Sequence, residues 1–248
     1  MTVNKIFEFL NSKFPISDAL DFDNVGLLIG EPNQEITNIL IALDCSLDTV
    51  FLACEKDCNL IITHHPVIFE PLKNVINGSV QYELIKNGIS VISMHTNLDV
   101  GVGGVNETLC RVIGLQNIAS VTTLDGFSLL GGIIPDMDAK SLALAIKTML
   151  GGVVKFVDGQ KTINRVLVCS GSGGNYVNDA FLNNFDALIT SDVKHHQFIE
   201  AKNLGISLFD AGHFETEDII IEPLCDLLKK EFANTVIFTH HSNVIDFA

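Results

Sequence analysis

From residue 38 onward, short apolar runs alternate with stretches of helical periodicity, and this alternation restricts the chain to an α/β architecture. Asn38-Ile39-Leu40-Ile41-Ala42-Leu43 reads as a strand, Ser46 as the N-cap of a helix over 47–56, and Leu60-Ile61-Ile62-Thr63 as the next strand. A helix over 82–87, closed by Gly88, leads to a third strand over 89–94. A β-α-β-α-β order predicts a largely parallel sheet with right-handed crossovers. Upstream, Val3, Ile6, Phe7 and Leu10 recur at helical spacing over 3–13 until Pro15 breaks the pattern. Downstream, Asn106 caps a helix that runs to about Ile113 and stops at Gly114.

The pattern restarts after Leu124-Asp125-Gly126. Strands are predicted over 127–134, 153–157, 163–169, 187–190 and 206–209. Helices are predicted over 139–150, from the loop Gly171-Ser172-Gly173-Gly174 to about 184, and over 195–202. Two α/β domains with mixed, largely parallel sheets follow, with a hinge near 115–126. The last helix, 216–230, and the last strand, 235–239, return to the first domain if Glu217 shares a site with His64. The expected division is 1–124 plus 215–248 against a smaller domain over 125–214.

Lys and Arg number 15 against 30 Asp and Glu, and the formal charge of −15 argues against nucleic acid or an anionic membrane as partner. No apolar run approaches the roughly 18 residues of a membrane span, and residues 1–14 alternate polar and apolar side chains instead of forming a signal-peptide core, so the expected compartment is the cytoplasm. The six cysteines, at 45, 54, 58, 110, 169 and 225, include no C-x-x-C pair and read as buried thiols. Cys54 and Cys58 have the spacing of ligands on one helix face, but no further Cys or His lies nearby to complete a site.

Polar donors collect where apolar segments end. His64 and His65 follow the strand at 60–63, Asp99 follows the one at 89–94, and His213 and Glu217 follow the one at 206–209. The ends of strands are where an open α/β sheet places its ligands. Alone, a His-His doublet reads as a surface or capping pair, and Asp99 as an ordinary exposed aspartate on a glycine-rich loop; together they read as metal ligands. Neighbouring side chains on an extended chain point to opposite sides, so His64 and His65 are expected to hold different ions of a pair, with Pro66 biasing His65 toward extended geometry. His213 and Glu217, four apart, share a helix face, and the carboxylate is the best candidate to bridge. These donors suit two divalent ions, Zn, Fe, Mn, Co or Ni. Two ions about 3.5–4 Å apart lower the pKa of a shared water, the logic of many hydrolases.

Other motifs are weaker. There is no G-x-S-x-G nucleophile elbow. The loop at Gly171-Ser172-Gly173-Gly174 lacks the Walker lysine and reads as a plain tight loop rather than an anion cradle. His95 can serve as a ligand, as a hydrogen-bond partner behind one, or as a proton carrier. In the doublet His195-His196, one residue is expected to orient a ligand or substrate and the other to lie on a helix surface; His95 and His196 are the candidate proton carriers. His240 and His241 read as surface residues.

Asp23-Asn24-Val25-Gly26-Leu27, Ile61-Ile62-Thr63-His64-His65-Pro66, His95-Thr96-Asn97-Leu98-Asp99 with Gly104-Val105-Asn106, and Gly212-His213 with Thr216-Glu217 together resemble the NIF-three-like proteins, often labelled GTP cyclohydrolase I type 2 homologues. The resemblance spans nearly the whole chain. It implies two α/β domains, a dinuclear metal centre in the cleft between them, and a homohexameric ring. The ligands it implies are His64, His65, Asp99, His213 and Glu217. Phe22 stands where the family usually has Trp, and Ser191 where it usually has Gly; neither is a ligand. The chain is too short for the large insertion domain some members carry. Two functions fit: a metal-dependent hydrolase that opens a small nucleotide-like or heterocyclic substrate with metal-bound hydroxide, or a non-catalytic metal-handling or regulatory protein.

Overall fold

The computed structural model describes residues 1–246 and falls into two compact units. The first comprises Met1–Val102 and the C-terminal segment that begins at Ile220; the second is Gly103–Ile219.

In the first unit, α1 (Val3–Lys13) buries Val3, Ile6 and Leu10, three of the four apolar residues that predicted it. The strands β1 (Gly26–Ile29), β2 (Asn38–Ala42), β3 (Cys58–Thr63) and β4 (Ser90–Ser93) alternate with α2 (Leu47–Glu55) and α3 (Val80–Lys86). Leu40, Ile41, Leu60, Ile61 and Ile62 are fully buried, which is why these strands appear as unbroken apolar runs. Ser46 caps α2 as expected, accepting from the Thr49 backbone N–H while Thr49 Oγ1 accepts from that of Ser46.

Two elements here escaped the sequence reading. β1 has four residues, starting at Gly26 and followed by Gly30, both at positive φ, too few to show a period. Asp99 lies not on a loop but in α4 (Thr96–Val100), where Leu98 and Asp99 donate to the His95 carbonyl. This short helix is capped from a distance: the Thr96 backbone N–H donates to Asp23 Oδ2 at 3.0 Å.

The second unit runs through α5 (Val105–Ile113), β5 (Gln116–Thr122), β6 (Ser128–Met137), α6 (Ala139–Leu150), β7 (Lys155–Val157), β8 (Ile163–Ser172), α7 (Val177–Leu182), β9 (Ala187–Ser191), α8 (His195–Leu204), β10 (Ser207–Asp210) and α9 (His213–Glu217). Its sheet has the order β5-β6-β8-β9-β10-β7, with β8-β9-β10 parallel at the centre and antiparallel strands at both sides. The expected hinge at 115–126 falls inside this unit. The chain enters it before α5, because Leu109, Cys110 and Ile113 belong to the same core as Ile146, Val166, Ile189 and Phe209. Most of 115–126 is β5, a largely exposed strand with no apolar run to announce it.

The chain then returns to the first unit with α10 (Ile221–Glu231) and β11 (Val236–His240). The single helix expected over 216–230 is broken by a 3₁₀ turn at Asp218–Ile220. Pro223 sits in the first turn of α10, where its missing N–H costs no bond within that helix but leaves none to offer the Ile219 carbonyl, so α10 starts afresh at Ile221 instead of continuing α9. The first sheet has the order β1-β4-β3-β2-β11, parallel from β4 to β11 with β1 antiparallel at its edge. This α/β fold with mixed sheets is the predicted class.

His241 is exposed and 3.1 Å from Glu222, whereas the His240 ring nitrogen Nε2 is buried, contrary to the surface expectation for that pair. Cys110 and Cys225 are buried as expected, and burial pushes the Cys110 thiol up to about 12. Cys54 is exposed on α2 while Cys58 opens β3, so the two share no helix face. Among the described residues no helix is long and apolar enough to cross a membrane.

Candidate metal centre

In the first unit, hydrogen bonding continues past the ends of the strands. His65 N donates to Leu43 O at 3.0 Å and Met94 N to Thr63 O at 2.9 Å, so the residues after β3 and β4 leave the sheet along fixed paths. The chain bends at His64 and His65 instead of staying extended, and the two rings lie 5.0 Å apart instead of diverging. His95, at the start of α4, places its ring 5.2 Å from His64 and 5.7 Å from His65. Each imidazole offers one nitrogen, and the three nitrogens lie within 4.8 Å of one another, a grouping that could hold a metal ion. Asp99 Oδ1 is 3.6 Å from His64 Nε2.

The opposite nitrogen of each ring is engaged. His64 Nδ1 meets Met94 O at 3.0 Å, His65 Nδ1 meets Asp44 Oδ1 at 2.7 Å, and His95 Nδ1 meets Asp23 Oδ1 at 2.8 Å. A carbonyl and two ionised carboxylates only accept, so Nδ1 carries a proton in all three rings and Nε2 is the nitrogen turned away from that partner. This is how ligating histidines are held by partners behind them.

In the second unit, α9 puts His213 and Glu217 on one face, as their spacing predicted, with Nε2 and Oε2 2.9 Å apart. His213 Nδ1 is held by Asp192 Oδ2 at 2.7 Å, the same arrangement again. Gly171, near the end of β8, has φ +58°, and a Cβ there would collide with Glu217 Oε1 and lie 3.4 Å from His213 Nε2. That glycine is therefore required both by the backbone and by the carboxylate beside it. The stretch expected as a tight loop instead carries β8 through Gly171 and Ser172 and then a 3₁₀ turn over Gly174–Tyr176, and Gly171 makes room for Glu217.

Sequence reasoning missed Asp23, Asp44 and Asp192. Asp44 and Asp192 each follow a predicted strand closely, so the strand-end placement that selected Asp99 applies to them equally. Asp23 sits where no element was predicted and is marked only by the Asp-Asn-Val-Gly motif. His195 and His196 both stand exposed on α8, and neither joins the histidine grouping.

Burial pushes the Asp23 carboxyl up, but hydrogen bonds from His95 and Thr96 outweigh it and hold the group down at about 2 instead of 3.8. A depressed folded-state pKa contributes stability above the unfolded value and loses it as pH falls through the folded one. The shift is worth about 2 kcal/mol. Between pH 4 and pH 2 the parent is expected to lose about that much more unfolding free energy than Asp23→Asn, measured by urea unfolding at a series of pH values. Parallel profiles would show that Asp23 is not held in its charged form.

A family model described as Duf34/NIF3 (NGG1p interacting factor 3) matches residues 1–244. A GTP cyclohydrolase 1 type 2 homolog of Clostridium perfringens is 31% identical, with 96% of this chain and 95% of the relative aligned. A crystal structure of a Staphylococcus aureus hypothetical protein is similar at 31% identity with a TM-score of 0.92, covering 100% of this chain and 99% of that one. A Bacillus cereus protein related to NIF3 shares the fold at 21% identity with a TM-score of 0.89, over 100% of this chain and 99% of its own.

Proposed function

The chain belongs to the Duf34/NIF3 family, and on that premise we propose that it is a dinuclear metal protein acting as a hydrolase on a small nucleotide-like or heterocyclic substrate. The proposed ligands are His64, His65, Asp99, His213 and Glu217, and the ions are divalent Zn, Fe, Mn, Co or Ni. One observation carries the reading: in His64, His65, His95 and His213 alike, Nδ1 is tied to an oxygen acceptor behind the ring, and in His213 the other nitrogen faces the Glu217 carboxylate with which it would share an ion. Four imidazoles each oriented through Nδ1 by an oxygen behind the ring match the requirement of a metal site. When bound, two such ions supply Lewis-acid activation of water near neutral pH and stabilise charge on an attacked or leaving oxygen.

The remaining work falls to the side chains. Glu217 offers two carboxylate oxygens, enough to serve two cations, and Gly171 keeps space for it. His95, tied to Asp23, presents Nε2 as a proton acceptor beside His64 and His65, and is the proposed proton carrier. His196 is not retained in that role, because it stands exposed on α8 and, among the described residues, has no partner that would fix its ring. Assembly into a hexameric ring is part of the same proposal, to be read from sedimentation.

Elemental analysis of protein purified without chelator tests the centre. Two ions per chain are expected in the parent. Glu217→Gln should lower occupancy at both positions, because the amide keeps one neutral oxygen and loses the charge. Equal metal content in parent and variant would make Glu217 peripheral. A screen of the metallated protein against nucleotides, pterins, cyclic amides and phosphoesters tests catalysis; no turnover, with reversible metal release, would favour the metal-handling reading.

A further inference from the structure

Two phenyl rings beside the histidine grouping stand out in solvent on backbone that is tied to the start of α4 and to the segment after β3. Phe22 is 65% exposed and Phe69 46%, although large apolar side chains ordinarily bury themselves. Their ring centroids are 6.2 Å apart at 65°, and Phe69 stands 6.2 Å from the His95 ring at 88°. An edge-to-face contact covers at most one face of a ring, so Phe22, with this one contact, keeps a face open, and Phe69, with two, is still 46% exposed.

The backbone under both rings is fixed. Leu20 N donates to Thr96 Oγ1, Asp23 N to Leu20 O, and the Asp23 carboxylate binds His95 and Thr96, so the residues on either side of Phe22 are clamped to the start of α4. Asn24 Nδ2 donates to Ile68 O at 2.6 Å and Gln81 Nε2 to Val67 O at 2.8 Å, which secures the segment leading into Phe69. The bonds that orient His95 therefore also place the two phenyls.

We propose that Phe22 and Phe69 form a stacking platform for the planar ring of an aromatic heterocycle, whose polar edge then faces His95 and its neighbours. This rests on the reading of the histidine grouping as a metal site. An apolar face joined to imidazole nitrogens suits a ligand with a π-face and a polar rim better than it suits a lipid surface, which a chain of net charge −15 would repel.

The test is titration of the full-length, metal-loaded protein with 2-aminopurine riboside, followed by its fluorescence, with metal content measured on the same samples. Phe22→Leu and Phe69→Leu should each weaken binding about tenfold, within the range that stacking a base on an aromatic side chain supplies, with metal content unchanged. Phe69→Trp should retain the parent affinity, which separates loss of the π-face from loss of folding. Equal affinity in the parent and both Leu variants, or no binding by the parent at millimolar probe, would overturn the platform. So would a change in sedimentation of the Leu variants with nucleoside affinity intact, since the rings would then seat a second copy. Failure of the metal reading is distinct: the parent would carry no metal, while dependence of probe binding on the phenyls is still measured.

Discussion

His64→Ala is expected to lower metal affinity by at least about 100-fold and to take the metal content of the purified protein from two ions per chain to one or fewer. His64 is almost wholly buried, its Nδ1 is committed to the Met94 carbonyl, and its Nε2 stands 3.6 Å from Asp99. Loss of a partner behind a ligand costs roughly 10–100-fold in affinity, so removing the ligand itself should cost more. Asp44→Asn supplies the milder comparison, because it leaves His65 in place while neutralising the carboxylate that fixes its tautomer. Thermal unfolding gives an independent readout: metal at 100 times its Kd stabilises the folded state by about 2.7 kcal/mol, a gain the parent should show and His64→Ala should not. Unchanged metal content in His64→Ala would remove the histidine doublet from the centre.

How much of this could be read from the chain depends on where each signal is stored. The parallel strands β2, β3 and β4 were legible because residues such as Leu40, Ile61 and Ile62 are buried from every side, which writes a continuous apolar run into the sequence. β5 was not, since most of its residues are exposed and only its backbone pairing with β6 defines it. α4 was hidden for a different reason: its first N–H is satisfied by Asp23, a residue far upstream, so no local cap announces the helix. The same asymmetry divides the site. Asp99 and the histidines announce themselves by following apolar runs. Asp44 and Asp192 share that placement, but which ring each carboxylate orients is visible only once the fold has brought Asp23 to His95, 72 residues away, and Asp192 to His213, 21 residues away. Spacing identifies donors, whereas which nitrogen a donor presents is decided by tertiary contacts. Pro223 shows that local chemistry can also be overlooked: the helical pattern over 216–230 hid a residue that suits the first turn of a helix and disfavours its continuation from upstream.

If the centre is hydrolytic, His95→Ala should slow turnover by about 10²–10⁴-fold while leaving the metal content near that of the parent, because a proton carrier acts on the barrier and not on the ions. Hydrolysis needs a group that takes a proton from water and returns it to the leaving atom. His95 is equipped for both steps, with Nδ1 held by the Asp23 carboxylate at 2.8 Å and Nε2 among the nitrogens of His64 and His65. Asp23→Asn probes the orientation separately. An amide can turn its N–H toward Nδ1, which would move the ring proton to Nε2 and block that atom as an acceptor. Turnover should then fall with His95 still present, and the pH profile should change in shape as well as height. If His95 were instead a ligand, His95→Ala would lose metal and activity together, and added metal would restore both. Turnover and metal content unchanged in both variants would leave the Asp23–His95 pair with a structural task only, anchoring the start of α4 and the segment that carries Phe22.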